Sequence, residues 1–122
     1  MRLRDSPSAE FSNLEFTILI YICLGVTNDG IGWLVGASRQ SVERVVTRLY
    51  RKLKIPSRKD TPAGVPALLE SRTRLCYEAT TRGLIHPQVL REEDAALREL
   101  LEKDHPPPSH LYVHRRWLDR IP

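Results

Sequence analysis

Between Ser12 and Pro56 the chain is cut into three short apolar-periodic segments by stop signals at Gly25, Gly36 and Pro56. That spacing leaves room for short helices joined by tight turns and for little else. Ser12-Asn13-Leu14-Glu15 reads as a capping box: the Ser12 hydroxyl accepts from the backbone N–H of Glu15, and the Glu15 carboxylate accepts from the N–H of Ser12. Phe11 and Phe16 stand at the positions of a hydrophobic staple. Leu14, Ile18, Tyr21, Ile22 and Leu24 continue an apolar helical face, which Gly25 ends. Thr27 or Asn28 caps a short second helix carrying Ile31, Trp33, Leu34 and Val35, and Gly36 breaks it. Ser38 caps a third helix, expected to run about 16 residues to Lys54, with Val42, Val45, Val46, Leu49, Tyr50 and Leu53 as its buried side. Arg44, Thr47, Arg48 and Arg51 share the opposite side at i, i+3, i+4 and i+7.

Downstream, Lys59 to Pro66 reads as a loop or a short turn of helix. A helical pattern follows from about Ala67 to Arg82, with Leu68, Leu69, Leu75, Cys76 and Ala79 apolar and Gly83 closing it. From about Gln88 to Lys103 the pattern is amphipathic again, with Val89, Leu90, Ala96, Leu97, Leu100 and Leu101 on one side. Pro106–Pro108 is a stiff spacer before a tail carrying Leu111, Tyr112, Trp117, Leu118 and Ile121. No strand-period pattern of any length occurs, so the expected fold class is all-α.

Charge is concentrated. Residues 39–59 hold eight Lys or Arg against the single acid Glu43, so that window carries +7 of a chain whose net charge is +4. A basic stripe on a body that is otherwise slightly acidic is the footprint of a polyanion binder. A hydrophobic content of 41% with 28% charged residues fits an ordinary folded domain. The N-terminus lacks the apolar core of a secretory signal. The longest apolar run, 18–26, is too short to span a bilayer, which takes roughly 20 residues. Cys23 and Cys76 lie in apolar helical patterns and are expected as buried free thiols, in keeping with a cytoplasmic protein.

A short helix, a Gly-containing turn and a longer basic helix make a helix-turn-helix. The second helix of such a motif fits the major groove while the first braces it across the backbone. The residues sharpen this. Glu15, then Gly25-Val26-Thr27-Asn28 with Ile31, then Val35-Gly36-Ala37-Ser38, then Ser41-Val42 and Val46, and last Tyr50-Arg51-Lys52-Leu53-Lys54-Ile55-Pro56-Ser57-Arg58 follow in order without a gap. Over 11–58 the chain thereby resembles the LuxR/GerE helix-turn-helix family. The resemblance implies a trihelical DNA-binding core in which the helix from about 39 to 54 enters the major groove. It implies that Glu43, Arg44 and Thr47 face the groove, that Ser38 caps the recognition helix near phosphate with Gln40 in its first turn, and that Arg39, Arg48, Arg51, Lys52 and Arg58 mostly serve phosphates.

Two residues depart from the family pattern. Glu43 stands where Lys or Arg is usual; it can accept from cytosine N4, repel DNA, or pair with Arg39 or another neighbouring cation and never touch a base. Gly30 replaces a capping-box acid, which is expected to weaken the second helix. In the family a fourth helix follows a Ser-Arg pair and commonly forms the dimer interface. The block from Ser71-Arg72 to Ile85 looks like that helix, placed fourteen residues after Ser57-Arg58. The economical reading is an insertion at 59–70, a fourth helix at 71–85 with Leu75, Cys76 and Ala79 as dimerisation residues, and a helical C-terminal extension at 86–122.

His110 and His114 sit at i, i+4, but no Cys or carboxylate motif accompanies them, so solvated surface is preferred to a metal site. No nucleophile–base grouping, paired carboxylates or phosphate loop stands out; no enzyme activity and no cofactor are expected. With ten residues before the first helix, neither a receiver nor a sensory domain is expected. The resulting expectation is a stand-alone, cytoplasmic transcriptional regulator that binds double-stranded DNA as a homodimer. The C-terminal extension is available to a protein partner, and no membrane partner is expected. The rival reading is a protein-interaction module, an antagonist or adaptor of a regulator, that keeps the fold; a sigma-factor-like promoter-binding domain is a third.

Overall fold

The Ser12 capping box forms as the sequence predicts. Glu15 N donates to Ser12 Oγ at 3.0 Å and Ser12 N donates to Glu15 Oε1 at 2.9 Å, starting helix α1, Asn13–Cys23. The staple forms too: the Phe11 and Phe16 rings meet edge to face at 6.2 Å. Thr27, rather than Asn28, caps α2, Asn28–Val35, and Ser38 caps α3, Arg39–Lys52. Helices α4, Ser71–Thr81, and α5, Pro87–Glu102, complete an all-helical computed structural model that describes residues 11–56 and 61–102. Arg58, the His110/His114 pair, the Pro106–Pro108 spacer and the aromatic tail lie outside the described residues.

The turn between α2 and α3 is tight for two reasons. Gly36 adopts φ +75°, a left-handed conformation that L side chains rarely reach. Gly32 lets the chain fold back onto α2, because a Cβ there would lie 2.6 Å from the Ala37 carbonyl oxygen. Gly30 is also crowded, by the Val26 side chain. α3 ends two residues before the expected Lys54: Leu53 is its cap, and Lys54 takes φ +57° in place of a glycine.

The sequence pattern of α1 suggests one apolar face, yet every residue from Glu15 to Ile22 is buried. Packing explains this. α3 covers one side of α1 while α4 and α5 pack against others, so a helix that is apolar nearly all round is the central element of the fold. Leu14, at its open end, remains exposed. The α3 side chains Val42, Val45, Val46, Leu49 and Leu53 reach the same core, as expected, with Tyr50 half-buried at its margin.

The segment 61–70 departs from the expected pattern. Ala67–Glu70 is not helical, and Leu68 is 87% exposed. Glu70 is the reason the helix starts late: its carboxylate accepts from the N–H groups of Arg72 and Thr73 and from the Thr73 hydroxyl, capping α4 at Ser71. The fourth helix is also shorter than 71–85, because Gly83 turns the chain at φ +73°. Ile85, beyond the helix, is buried in the core. Pro87 then occupies the first turn of α5, where a missing N–H costs nothing. Val89, Leu90, Leu97 and Leu100 lean on the core, Leu101 does not, and Glu93 is buried in the same stripe. No described helix is long and apolar enough to cross a membrane.

Candidate nucleic-acid interface

Burying Val42, Val45, Val46 and Leu49 fixes which side of α3 faces outward. Arg39, Gln40, Glu43, Arg44, Thr47, Arg48, Arg51 and Lys52 are all exposed, and Ser38 lies exposed at the helix start. The structure thus brings nine of the ten expected contact residues onto one face; Arg58 is the tenth.

These residues are not equivalent. Arg39 Nε donates to Glu43 Oε2 at 3.0 Å, and Arg39 Nη1 reaches Asp29 Oδ2 on α2 at 3.4 Å. Glu43 is therefore paired with Arg39 through one of its two carboxylate oxygens. Arg48 Nε and Lys52 Nζ both donate to Glu15, at 3.2 and 2.8 Å. Glu15 is thus more than a capping residue, holding two cations of the exposed face from beneath. Lys52 also lies over the Phe11 ring, 5.1 Å from its centre. Thr47 Oγ1 donates to the Glu43 carbonyl at 3.0 Å, and Ser38 Oγ accepts from Ser41 N at 3.1 Å. Arg44, Arg51 and Lys54 have no acidic partner among the described residues. The two acids around Arg39 outweigh it by one charge, and Arg48 with Lys52 outweighs Glu15 by one. The positive excess of this face therefore rests mainly on Arg44, Arg51 and Lys54.

Burial by itself would raise the Glu15 pKa. The hydrogen bond from Lys52, the Ser12 N–H and the charges of Lys52 and Arg48 outweigh it and hold the carboxyl below its ordinary value. A carboxyl depressed in the fold stabilises it above the unfolded pKa of about 4.3, and that contribution is lost as pH falls through the folded value. The Glu15→Gln variant is accordingly expected to lose less stability than the wild type between pH 6 and pH 3 in urea unfolding. Identical pH profiles would contradict the role given to Glu15. Glu70, whose carboxyl is also lowered by its bonds to Thr73, contributes to the pH dependence that both proteins share.

Arg72 of α4 and Arg82, its C-terminal cap, hold α1 to α3 in place, and neither is visible as a local pattern. Arg72 Nη1 donates to Asn28 Oδ1 at 2.6 Å and Nη2 to the Val26 carbonyl, bracing the α1–α2 turn. Arg82 Nη2 donates to the Leu53 carbonyl at 2.9 Å, satisfying an acceptor at the end of α3 that has no other donor among the described residues.

The expected dimerisation residues lie elsewhere than expected. Leu75 and Ala79 are wholly buried in the chain's own core. Cys76 is half-buried and lines the same pocket as Cys23. Burial first, and that neighbouring thiol second, push the Cys23 thiol far up, so it stays protonated. These three side chains serve the attachment of α4 to α1, and the outward surface of α4 is instead Thr73, Tyr77, Thr80 and Thr81. No cluster of three or more metal-ligating side chains occurs among the described residues.

Comparison of the chain with protein-family models, with curated proteins and with solved structures finds no match.

Proposed function

We propose that this chain is a sequence-specific DNA-binding transcriptional regulator, a helix-turn-helix protein of the LuxR/GerE type acting in the cytoplasm. α3 lies in the major groove and α2 braces it across the backbone. The observation that carries this reading is the division of α3 into two faces. One is spent on the core, and the other is exposed from Ser38 to Lys52 with Arg44 and Arg51 uncommitted. An α-helix with side chains is about 10–12 Å wide and fits a major groove about 12 Å wide. Arg44 faces bases, while Arg51 and Lys54 contact phosphate. Arg48 and Lys52, held from below by Glu15, are positioned beside them. Two copies on a two-fold site place their recognition helices one helical turn apart.

The test is a salt titration of duplex binding by the whole chain. Neutralising phosphates releases counterions, so the logarithm of the affinity is expected to fall linearly with the logarithm of salt concentration. No duplex binding at low salt would overturn the reading.

A second reading, a protein-interaction module that keeps the fold, is favoured by two observations. Three of the basic residues already have internal acid partners, and Val65, Leu68 and Leu69 are exposed in the 61–70 segment. A chain that binds no duplex but forms a stoichiometric complex with a regulator would support it.

A further inference from the structure

We infer that Glu43 reads a cytosine, its outward carboxylate oxygen accepting from the exocyclic N4 amino group in the major groove. This rests on the DNA-binding reading above and names the base that this face prefers.

Glu43 sits on the exposed face of α3 beside Arg44. One of its oxygens, Oε2, is taken by Arg39 Nε at 3.0 Å, and Arg39 is itself tethered to Asp29. That chain of contacts runs from α2 to α3 across the turn, so the carboxylate is held from one side rather than sweeping freely over the surface. The other oxygen, Oε1, accepts no hydrogen bond among the described residues. The helix backbone beneath is fixed, with the Glu43 carbonyl accepting from Thr47 Oγ1. What remains is an oriented acceptor with no donor of its own.

Base chemistry then selects. Guanine presents two acceptors in the major groove, O6 and N7, and thymine presents O4. All three repel a carboxylate. Adenine offers an amino group but sets the N7 acceptor beside it. Cytosine presents its amino donor with an acceptor, the O6 of its guanine partner, on one side only, whereas the adenine amino group has N7 on one side and thymine O4 on the other. Arg44, adjacent in the chain and uncommitted, lessens the repulsion between the carboxylate and nearby phosphates, which salt also screens over about 10 Å. Glu43 therefore acts more by rejecting wrong bases than by adding affinity, which is how specificity is commonly obtained.

The experiment is selection from random duplexes with the full-length wild type, Glu43→Ala and Glu43→Gln, followed by affinity measurement on the selected and unselected DNA. Glu43 is exposed and outside the core, and circular dichroism checks that each variant is folded. The wild type is expected to enrich cytosine at one position per recognition helix, with a loss of roughly tenfold when that pair is changed. Glu43→Ala is expected to lose the preference at that position alone and to bind unselected DNA more tightly. Glu43→Gln, whose amide can both donate and accept, is expected to move the preference towards adenine. Variants that bind all sequences more tightly with the base preference unchanged would overturn the inference while leaving DNA binding intact. A wild type that binds no duplex at low salt would overturn both.

Discussion

The Arg44→Ala/Arg51→Ala double variant is expected to bind duplex DNA roughly 30-fold more weakly than the wild type, at about 1 kcal/mol for the base contact of Arg44 and about 1 kcal/mol for the exposed ion pair of Arg51 to phosphate. Its salt dependence is expected to be shallower by about 0.9 in logarithmic slope, the phosphate contact of Arg51 being the one lost. Both residues are exposed, and neither has an acidic partner among the described residues, so the fold should be unaffected. The matched control is Arg91→Ala/Arg98→Ala. It removes the same charge from exposed positions of α5, and its slope is expected to stay at the wild-type value. Equal losses in the two double variants would mean that only net charge matters and that α3 is not the interface.

The second large effect concerns Leu75. Its side chain is fully buried where α4 meets the core, and Leu→Ala at such sites costs about 2–5 kcal/mol. Against a total of about 5–15 kcal/mol for a domain, that is a large fraction. The Tm is expected to fall by about 4–8 °C for each kcal/mol lost, and by the same amount at low and high protein concentration. Tyr77→Ala, on the exposed side of α4, is expected to leave the Tm of the dilute protein nearly unchanged. A Leu75→Ala deficit that disappears on concentrating the protein would place Leu75 in a subunit contact instead of the monomer core.

These residues also show where the sequence was readable. The three helices α1 to α3 were legible because caps, stops and apolar spacing are local signals. Ser12, Thr27 and Ser38 each cap within three residues, and Gly36 marks the turn. The outward face of α3 followed from the same periodicity. Long-range attachments were not legible. Glu15 reaches Arg48 and Lys52 across 33 and 37 residues, and Arg72 reaches Val26 across 46. The local pattern of Glu15 is already satisfied by its capping role, so nothing in it announced a second one. Leu75 and Ala79 show a related ambiguity. An apolar helical stripe looks alike whether it covers the chain's own core or a second copy, and tertiary packing decides which. The exposed Leu68 and Leu69 read as the start of a helix because apolar spacing carries no information about where a cap such as Glu70 captures the chain.

The most direct test of the central claim is residue-resolved mapping of duplex binding by NMR on the whole chain at low salt. The amide shifts that move most are expected to lie between Ser38 and Lys52, together with the Nε–H signals of Arg44 and Arg51, while α5 stays still. Shifts confined to α4, α5 or the 61–70 segment, or no shifts at all, would contradict it.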